Sequence, residues 1–201
     1  MKVLFATGNA TKAQRFSKGL LKKGIEVVTL KDMNIELDVE ENGKDAIENA
    51  LIKARAYSKE VDMPVFAMDD TLYLENVPDE KQPGMFVRRV NGKRLNDEEM
   101  LQHYMQLVRD YGVDGKLTCR WVYGMAVIHN GKEFTYTWSK EDFYMVEEAS
   151  DKVNPGYPLN SISVNKKLNK YFTDITDEDK KLIQEDESDV VEFIANSLNQ
   201  S

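Results

Sequence analysis

Thr7-Gly8-Asn9-Ala10-Thr11-Lys12 lies between a short apolar run, Lys2 to Ala6, and a segment of helical apolar spacing through Phe16, Leu20 and Leu21 that closes near Gly24. It therefore falls where a strand hands over to a helix. Unpaired backbone N–H groups and the helix dipole at such a junction attract an anion, and Lys12 adds a point charge. The spacing lacks the two glycines and the Lys-Ser/Thr pair of a P-loop, and Asn9 or Thr11 serves equally well as an ordinary helix cap. Asp69-Asp70 ends a second apolar run, Pro64 to Met68, at the strand edge where open α/β sheets bind ligands. Adjacent carboxylates repel near a core, and a divalent cation or a lysine is the usual means of keeping both ionised. Magnesium suits oxygen-only ligands, above all beside a polyphosphate. The alternative is a strand terminus followed by a turn at Thr71. Glu41, Glu48 and Lys53 form a third group. Glu48 and Lys53 are five apart and need not pair with one another, although a charged helix flank is the simpler account.

Other chemistries find little support. One cysteine, Cys119, permits neither an intrachain disulfide nor a cysteine-rich zinc site. His103 falls on a helix and His129 in a hairpin turn, so a Ser/His/Asp triad or a histidine metal site is not expected. Trp121, Trp138 and the tyrosines read as hairpin packing rather than a base-stacking platform.

The elements that position these groups alternate. Strands are expected at Lys2–Ala6, Ile25–Leu30 and Pro64–Met68. Helices are expected after the first turn and over Asp45–Val61, where Ile47, Ala50, Leu51, Ala54 and Tyr57 recur at helical spacing. This is an α/β pattern. Asn96 with Glu99 three residues on marks a further helix, with Leu101, Tyr104, Leu107, Val108 and Tyr111 on one face and Gly112 as terminator. A long hairpin follows, from Lys116 to Ile128, turning at His129-Asn130-Gly131-Lys132 and returning through Phe134, Tyr136 and Trp138. Asn154 to Pro158 is a loop, and Ser188 to Leu198 a terminal helix. The chain of 201 residues is expected to be one domain, 1–201.

Charge is unevenly spread. Residues 174 to 192 hold nine acids against Lys180 and Lys181, whereas positions 2 to 31 carry seven basic residues and one Glu. Positions 81 to 94 carry Lys81, Arg88, Arg89, Lys93 and Arg94 with no acid. Either these are solvated faces, or the basic segments meet a small polyanion. With 35 acids against 27 basic residues overall, polymeric nucleic acid is not an expected partner. The longest apolar run, Val122 to Ile128, is far short of the roughly 18 residues that span a bilayer. The N-terminus lacks a signal-peptide apolar core, so a cytoplasmic location away from membranes is expected.

Taken in order, the motifs resemble those of the inosine triphosphate pyrophosphatase family, which hydrolyses non-standard purine nucleoside triphosphates to the monophosphate and pyrophosphate. Residues 7–12 match its opening (S/T)-G-N-x-x-K. Glu41-Asn42-Gly43 with Glu48-Asn49-Ala50-Leu51-Ile52-Lys53-Ala54 is similar to its E-x-G-x-x-x-x-E-N-A-x-x-K-A helix. Asp69-Asp70-Thr71 stands at its acidic D-(S/T) position, and Pro83-Gly84-Met85-Phe86 resembles P-G-x-(Y/F). Gly156-Tyr157 falls at the G-(Y/W)-D-P loop, and Thr176 to Lys180 at the E-E-K segment.

The resemblance implies a long mixed β-sheet with flanking helices forming two lobes around a central cleft. It implies that Thr7, Asn9 and Lys12 hold the triphosphate, with Lys53 as a second cation, and that Glu41 and Asp70 bind Mg2+. Asp70 would also orient or deprotonate the attacking water, and Thr71, Gly156, Tyr157 and Lys180 would contact substrate. A homodimer is implied as well. Two departures stand at the base-recognition end: Gln184-Glu185-Asp186 replaces the family's S-H-R, and Pro158 replaces the aspartate of G-(Y/W)-D-P. Donors become acceptors there, so base choice is expected to be altered. The competing expectations are a non-catalytic nucleotide-binding or regulatory protein on the same scaffold, and a phosphatase that releases orthophosphate.

Overall fold

The computed structural model describes residues 1–183 and 187–200, with the backbone alone at 10 and 11. It divides into two compact units. The first comprises Met1–Asp70, Tyr123–Trp138 and Glu187–Ser201, and the second Thr71–Val122 and Ser139–Asp186.

In the first unit, β1 (Lys2–Phe5) lies between two parallel neighbours, β2 (Glu26–Thr29) and β3 (Val65–Leu74). A strand so placed is covered on both faces, which is why Val3, Leu4 and Phe5 form an unbroken apolar run and are all fully buried. On one face, Leu4, Val65 and Ala67 pack with Ala50, Ala54 and Tyr57 of α3 (Ala46–Ser58). On the other, Phe5 stacks on Phe66 at 4.3 Å, with Phe16 edge-on to Phe66 at 6.3 Å. The N-terminus of α3 comes so close to the chain at Gly124 that a Cβ there would sit 2.4 Å from the Ala46 carbonyl carbon.

In the second unit, α4 (Asp97–Tyr111) starts with the expected capping box of Asn96 and Glu99. It buries Tyr104, Leu107 and Val108 against Leu117 and Cys119 of β6 (Lys116–His129) and against Phe143 and Met145 of β8 (Phe143–Val146). A small hairpin pairs β4 (Arg89–Val90) with β5 (Lys93–Arg94), and β9 (Ser163–Asn165) and β10 (Lys170–Tyr171) continue antiparallel from β8. Together the strands make an eight-stranded mixed sheet in the order β10-β9-β8-β6-β3-β1-β2, with β7 (Lys132–Lys140) paired to β6. This is the α/β class with a long mixed sheet and flanking helices that was expected. The β6–β7 turn has Asn130 at φ 50° and Gly131 at φ 72°, as a type I′ turn requires.

Three expectations are corrected. The first helix is not continuous to Leu21: it is two short pieces, α1 (Ala10–Ala13) and α2 (Ser17–Leu21). Between them Arg15 N–H bonds back only three residues, to Lys12 O, and the Ser17 hydroxyl takes the Ala13 carbonyl. Leu21, assigned to the buried face, is 66% exposed. Second, Asp69-Asp70 does not end a strand. β3 runs on through Thr71 to Leu74, because Leu72 exchanges both backbone hydrogen bonds with Gly84 and Leu72 and Leu74 are buried apolar residues. Third, the helix begun at Asp45 ends at Ser58 rather than Val61. The acidic stretch also contains an unforeseen helix, α5 (Asp177–Leu182), capped by Thr176 and Asp179, before the expected α6 (Ser188–Asn199).

Gly124→Ala is expected to destabilise the protein by more than about 2 kcal/mol in urea titration, because the clash is with backbone that cannot rotate away. Cys119, buried with its thiol pushed up to about 12 by desolvation, is expected to resist a thiol reagent at pH 8 until the chain unfolds.

Candidate active site

The candidate residues of the first unit converge on β3. Consecutive strand residues project to opposite faces, so Asp69 and Asp70 need different partners, and each has one. Asp70 Oδ1 accepts from Lys12 Nζ at 2.6 Å, with both side chains mostly buried. Lys53, delivered by α3, lies 3.7 Å from Asp69 Oδ1 and 3.3 Å from Glu41 Oε2. The Lys53 and Asp69 side chains are 15% and 14% exposed, and Glu41 39%. Lysine ammoniums are thus the counter-charges on both faces, one of the two means expected from sequence.

The turn residues act first as a cap. Asn9 Oδ1 accepts from Lys12 N at 3.3 Å, and Asn9 N donates to Thr7 Oγ1 at 3.2 Å. These bonds fix the loop that carries Lys12. Because α1 is a single turn, its dipole contributes little, and the positive charge of the loop rests on Lys12.

Glu41 is placed by the start of α3. Asp45 caps the helix by accepting from Glu48 N at 2.8 Å, and Asn49 Oδ1, on a side chain only 2% exposed, accepts from Gly43 N at 2.8 Å. Any Cβ at Gly43 would fall 2.6 Å from that oxygen, so the glycine of the E-x-G motif is there for close approach. Glu48 turns away to Lys44, 3.1 Å from its Nζ, and does not join Lys53. Burial, with some help from the charge of Glu41, raises the Tyr57 hydroxyl above its ordinary value.

The remaining expected positions lie in the second unit. Thr71 is 3% exposed and its hydroxyl donates to the Val122 carbonyl at 3.2 Å. Pro155-Gly156 forms a tight turn with Gly156 at φ 82°, closed by Tyr157 N to Asn154 O at 2.9 Å. Pro158 is buried at the first position of a short 3-10 helix. Lys180 lies 3.3 Å from Asp177 and is half-exposed. Glu185 and Asp186, on which altered base choice was expected, lie outside the described residues.

Sequence reasoning missed a charge-aromatic cluster in the first unit. Arg15 Nε donates to both Glu187 oxygens, at 2.7 and 2.9 Å, and its guanidinium lies 4.8 Å from the centre of the Tyr123 ring, which stacks on Trp138 at 4.9 Å. Desolvation works against the arginine's charge, but the Glu187 bond and field outweigh it and raise its pKa. Burial pushes the Tyr123 hydroxyl up to about 12. Lys23 likewise pairs with Glu192 at 2.5 Å. Two residues of the N-terminal basic segment therefore meet the chain's own acidic tail, and the opposed signs of those two segments were the available clue.

As for a cation, no cluster of three or more acidic, histidine or cysteine side chains occurs among the described residues. Glu41 lies with Lys53 and Asp69, and Asp70 with Lys12; each offers carboxylate oxygen only, a donor type that suits magnesium, which is usually held by one or two carboxylates together with water and substrate phosphate.

An α/β protein whose central strand carries adjacent aspartates, each matched to a lysine, has the charge pattern of a phosphate-handling protein. The Ham1 family profile matches residues 3–190, and the chain belongs to that family, which bears out the resemblance read from its motifs. A relative from Bacillus subtilis (strain 168), named dITP/XTP pyrophosphatase, is 26% identical over 180 residues, covering 90% of this chain and 88% of its own. One of the same name from Thermoanaerobacter pseudethanolicus is 28% identical over 183 residues, covering 91% and 89%. The solved structure of the Staphylococcus aureus Ham1 protein shares the fold with a TM-score of 0.75, at 18% identity over 98% of this chain and 100% of its own.

Asn49→Ala would leave the Gly43 amide without its buried acceptor. It is expected to cost about 1–3 kcal/mol in chemical denaturation, the penalty for an unmade buried hydrogen bond.

Proposed function

We propose that this protein hydrolyses nucleoside triphosphates to the monophosphate and pyrophosphate, acting on deaminated purines of the dITP and XTP type with an altered base preference. The observation that carries this reading is the pairing on β3: Lys12 with Asp70, and Lys53 with Glu41 and Asp69. Family membership and relatives named for this reaction support it.

Phosphoryl chemistry demands positioned cations and an oriented nucleophile more than covalent participation. Thr7 and Asn9 hold the loop that carries Lys12, and the Lys12 and Lys53 ammoniums both meet the triphosphate in this reading. Asp70 accepts the proton of the attacking water, which is directed at the α-phosphorus so that pyrophosphate leaves. Glu41 and Asp70 would hold Mg2+, which when bound neutralises charge on the phosphates. Thr71, Gly156, Tyr157 and Lys180 contact substrate in this reading, and the Glu185-Asp186 substitution alters which bases are accepted. The assembly is a homodimer.

The test is an incubation of purified protein with magnesium and a panel of standard and deaminated ribo- and deoxyribonucleoside triphosphates, with pyrophosphate separated from orthophosphate by chromatography. Pyrophosphate release is expected, and Asp70→Asn should lower kcat by roughly 10²- to 10⁴-fold, the range for loss of a general base. Orthophosphate as the first product, or full activity in the variant, would overturn the reading.

A further inference from the structure

We infer that Asp69 is a positioning residue for Lys53: it keeps that ammonium in place for the phosphates once Glu41 is engaged elsewhere. The inference rests on the proposed reaction and extends it to a residue given no part in it so far.

A lysine held in one place needs counter-charge. Its ammonium is a strongly hydrated point charge on a flexible four-carbon stem, so a well-placed lysine in a partly desolvated site requires carboxylate partners. Lys53 is 15% exposed and has two, Glu41 at 3.3 Å and Asp69 at 3.7 Å. These partners are unlike. Glu41 stands on the irregular segment before α3, is the more exposed at 39%, and belongs to the pair that would hold the cation. Asp69 is 14% exposed on a ten-residue strand, next to Met68, which is 2% exposed.

When Glu41 turns its oxygens to a divalent cation, Lys53 loses its nearer partner and gains a repelling neighbour. Asp69 is then its remaining ion-pair partner among the described residues. At 3.7 Å the Asp69 contact lies beyond a direct hydrogen bond and acts as a through-space charge. The ammonium's hydrogens therefore remain available to phosphate oxygens. The two neighbouring aspartates divide the work: Asp70 faces Lys12 and serves the reaction, whereas Asp69 faces Lys53 and serves binding.

A double-mutant cycle isolates this role. Binding of inorganic pyrophosphate in the presence of Mn2+ is measured by calorimetry for the wild type, Asp69→Asn, Lys53→Met and the double variant. Mn2+ binding alone is followed by electron paramagnetic resonance, and thermal midpoints confirm folding. Asp69→Asn is expected to weaken pyrophosphate about tenfold in the wild-type background and less than twofold in the Lys53→Met background. Mn2+ affinity alone should stay within about twofold, and Asp69→Glu should restore most of the pyrophosphate binding, which also covers the case in which the asparagine variant fails to fold. In turnover, the asparagine change should raise KM more than it lowers kcat.

Equal losses in both backgrounds would show that Asp69 does not act through Lys53. Loss of Mn2+ binding alone would make Asp69 a metal ligand. Either result overturns the inference while leaving the proposed reaction standing. A wild-type protein that binds no pyrophosphate with Mn2+ would overturn this inference, whereas the proposed reaction is decided by pyrophosphate release from the triphosphate.

Discussion

Two carboxylates side by side on a largely buried strand repel each other in a medium that solvates neither well, and the first unit is built around that constraint. Stripping one partner from a buried ion pair costs about 3–5 kcal/mol, a large part of a small protein's net stability, so the counter-charges must be in place before any ligand arrives. The pleat sends Asp69 and Asp70 to opposite faces, and no single lysine can serve both. One must come from the loop after β1 and the other from α3.

The precision of that delivery comes from close backbone contacts rather than from added apolar bulk. The start of α3 is held by the Asp45 cap, by the Gly43 to Asn49 hydrogen bond and by direct approach to Gly124. A helix pinned at its first turn by backbone has little freedom to slide, and Lys53, two turns further on, inherits that fixed register. Gly19 plays a similar part for α2, where a Cβ would fall 2.8 Å from Val191 of α6. Tight packing of this kind makes interiors stiff, a property suited to a site that works by placing charges.

Much of this is legible in the order of amino acids alone. The buried β1 run, the capped α4, the Asn-Gly hairpin and the whole series of motif residues follow from local patterns, and local patterns are what a sequence displays. The failures came where tertiary contacts overrode them. Strand β3 continues through two acids because lysines distant in sequence neutralise them, and nothing adjacent in the chain announces Lys12 or Lys53 as the partner. The first helix is interrupted at Arg15, which pairs with Glu187 more than 170 positions away. Short strands such as β9 and β10 carry too few residues to show a period. Of the site, residue types and order were legible; which lysine belongs to which aspartate was not, because sheet pleat and helix register decide it.

The first unit is also assembled from three separated stretches of chain, 1–70, 123–138 and 187–201, whereas both stretches of the second unit lie between them in sequence. During synthesis the second unit's segments are therefore all translated before α6 exists. The contacts of Val191 with Gly19 and of Glu187 with Arg15 therefore form last in this unit. Long-range closure of this kind slows folding and lengthens exposure of apolar strand. The segment that closes the first unit thus leaves the ribosome after every other stretch of both units, so a chain released ahead of α6 would lack the Val191 and Glu187 contacts with α2 and Arg15.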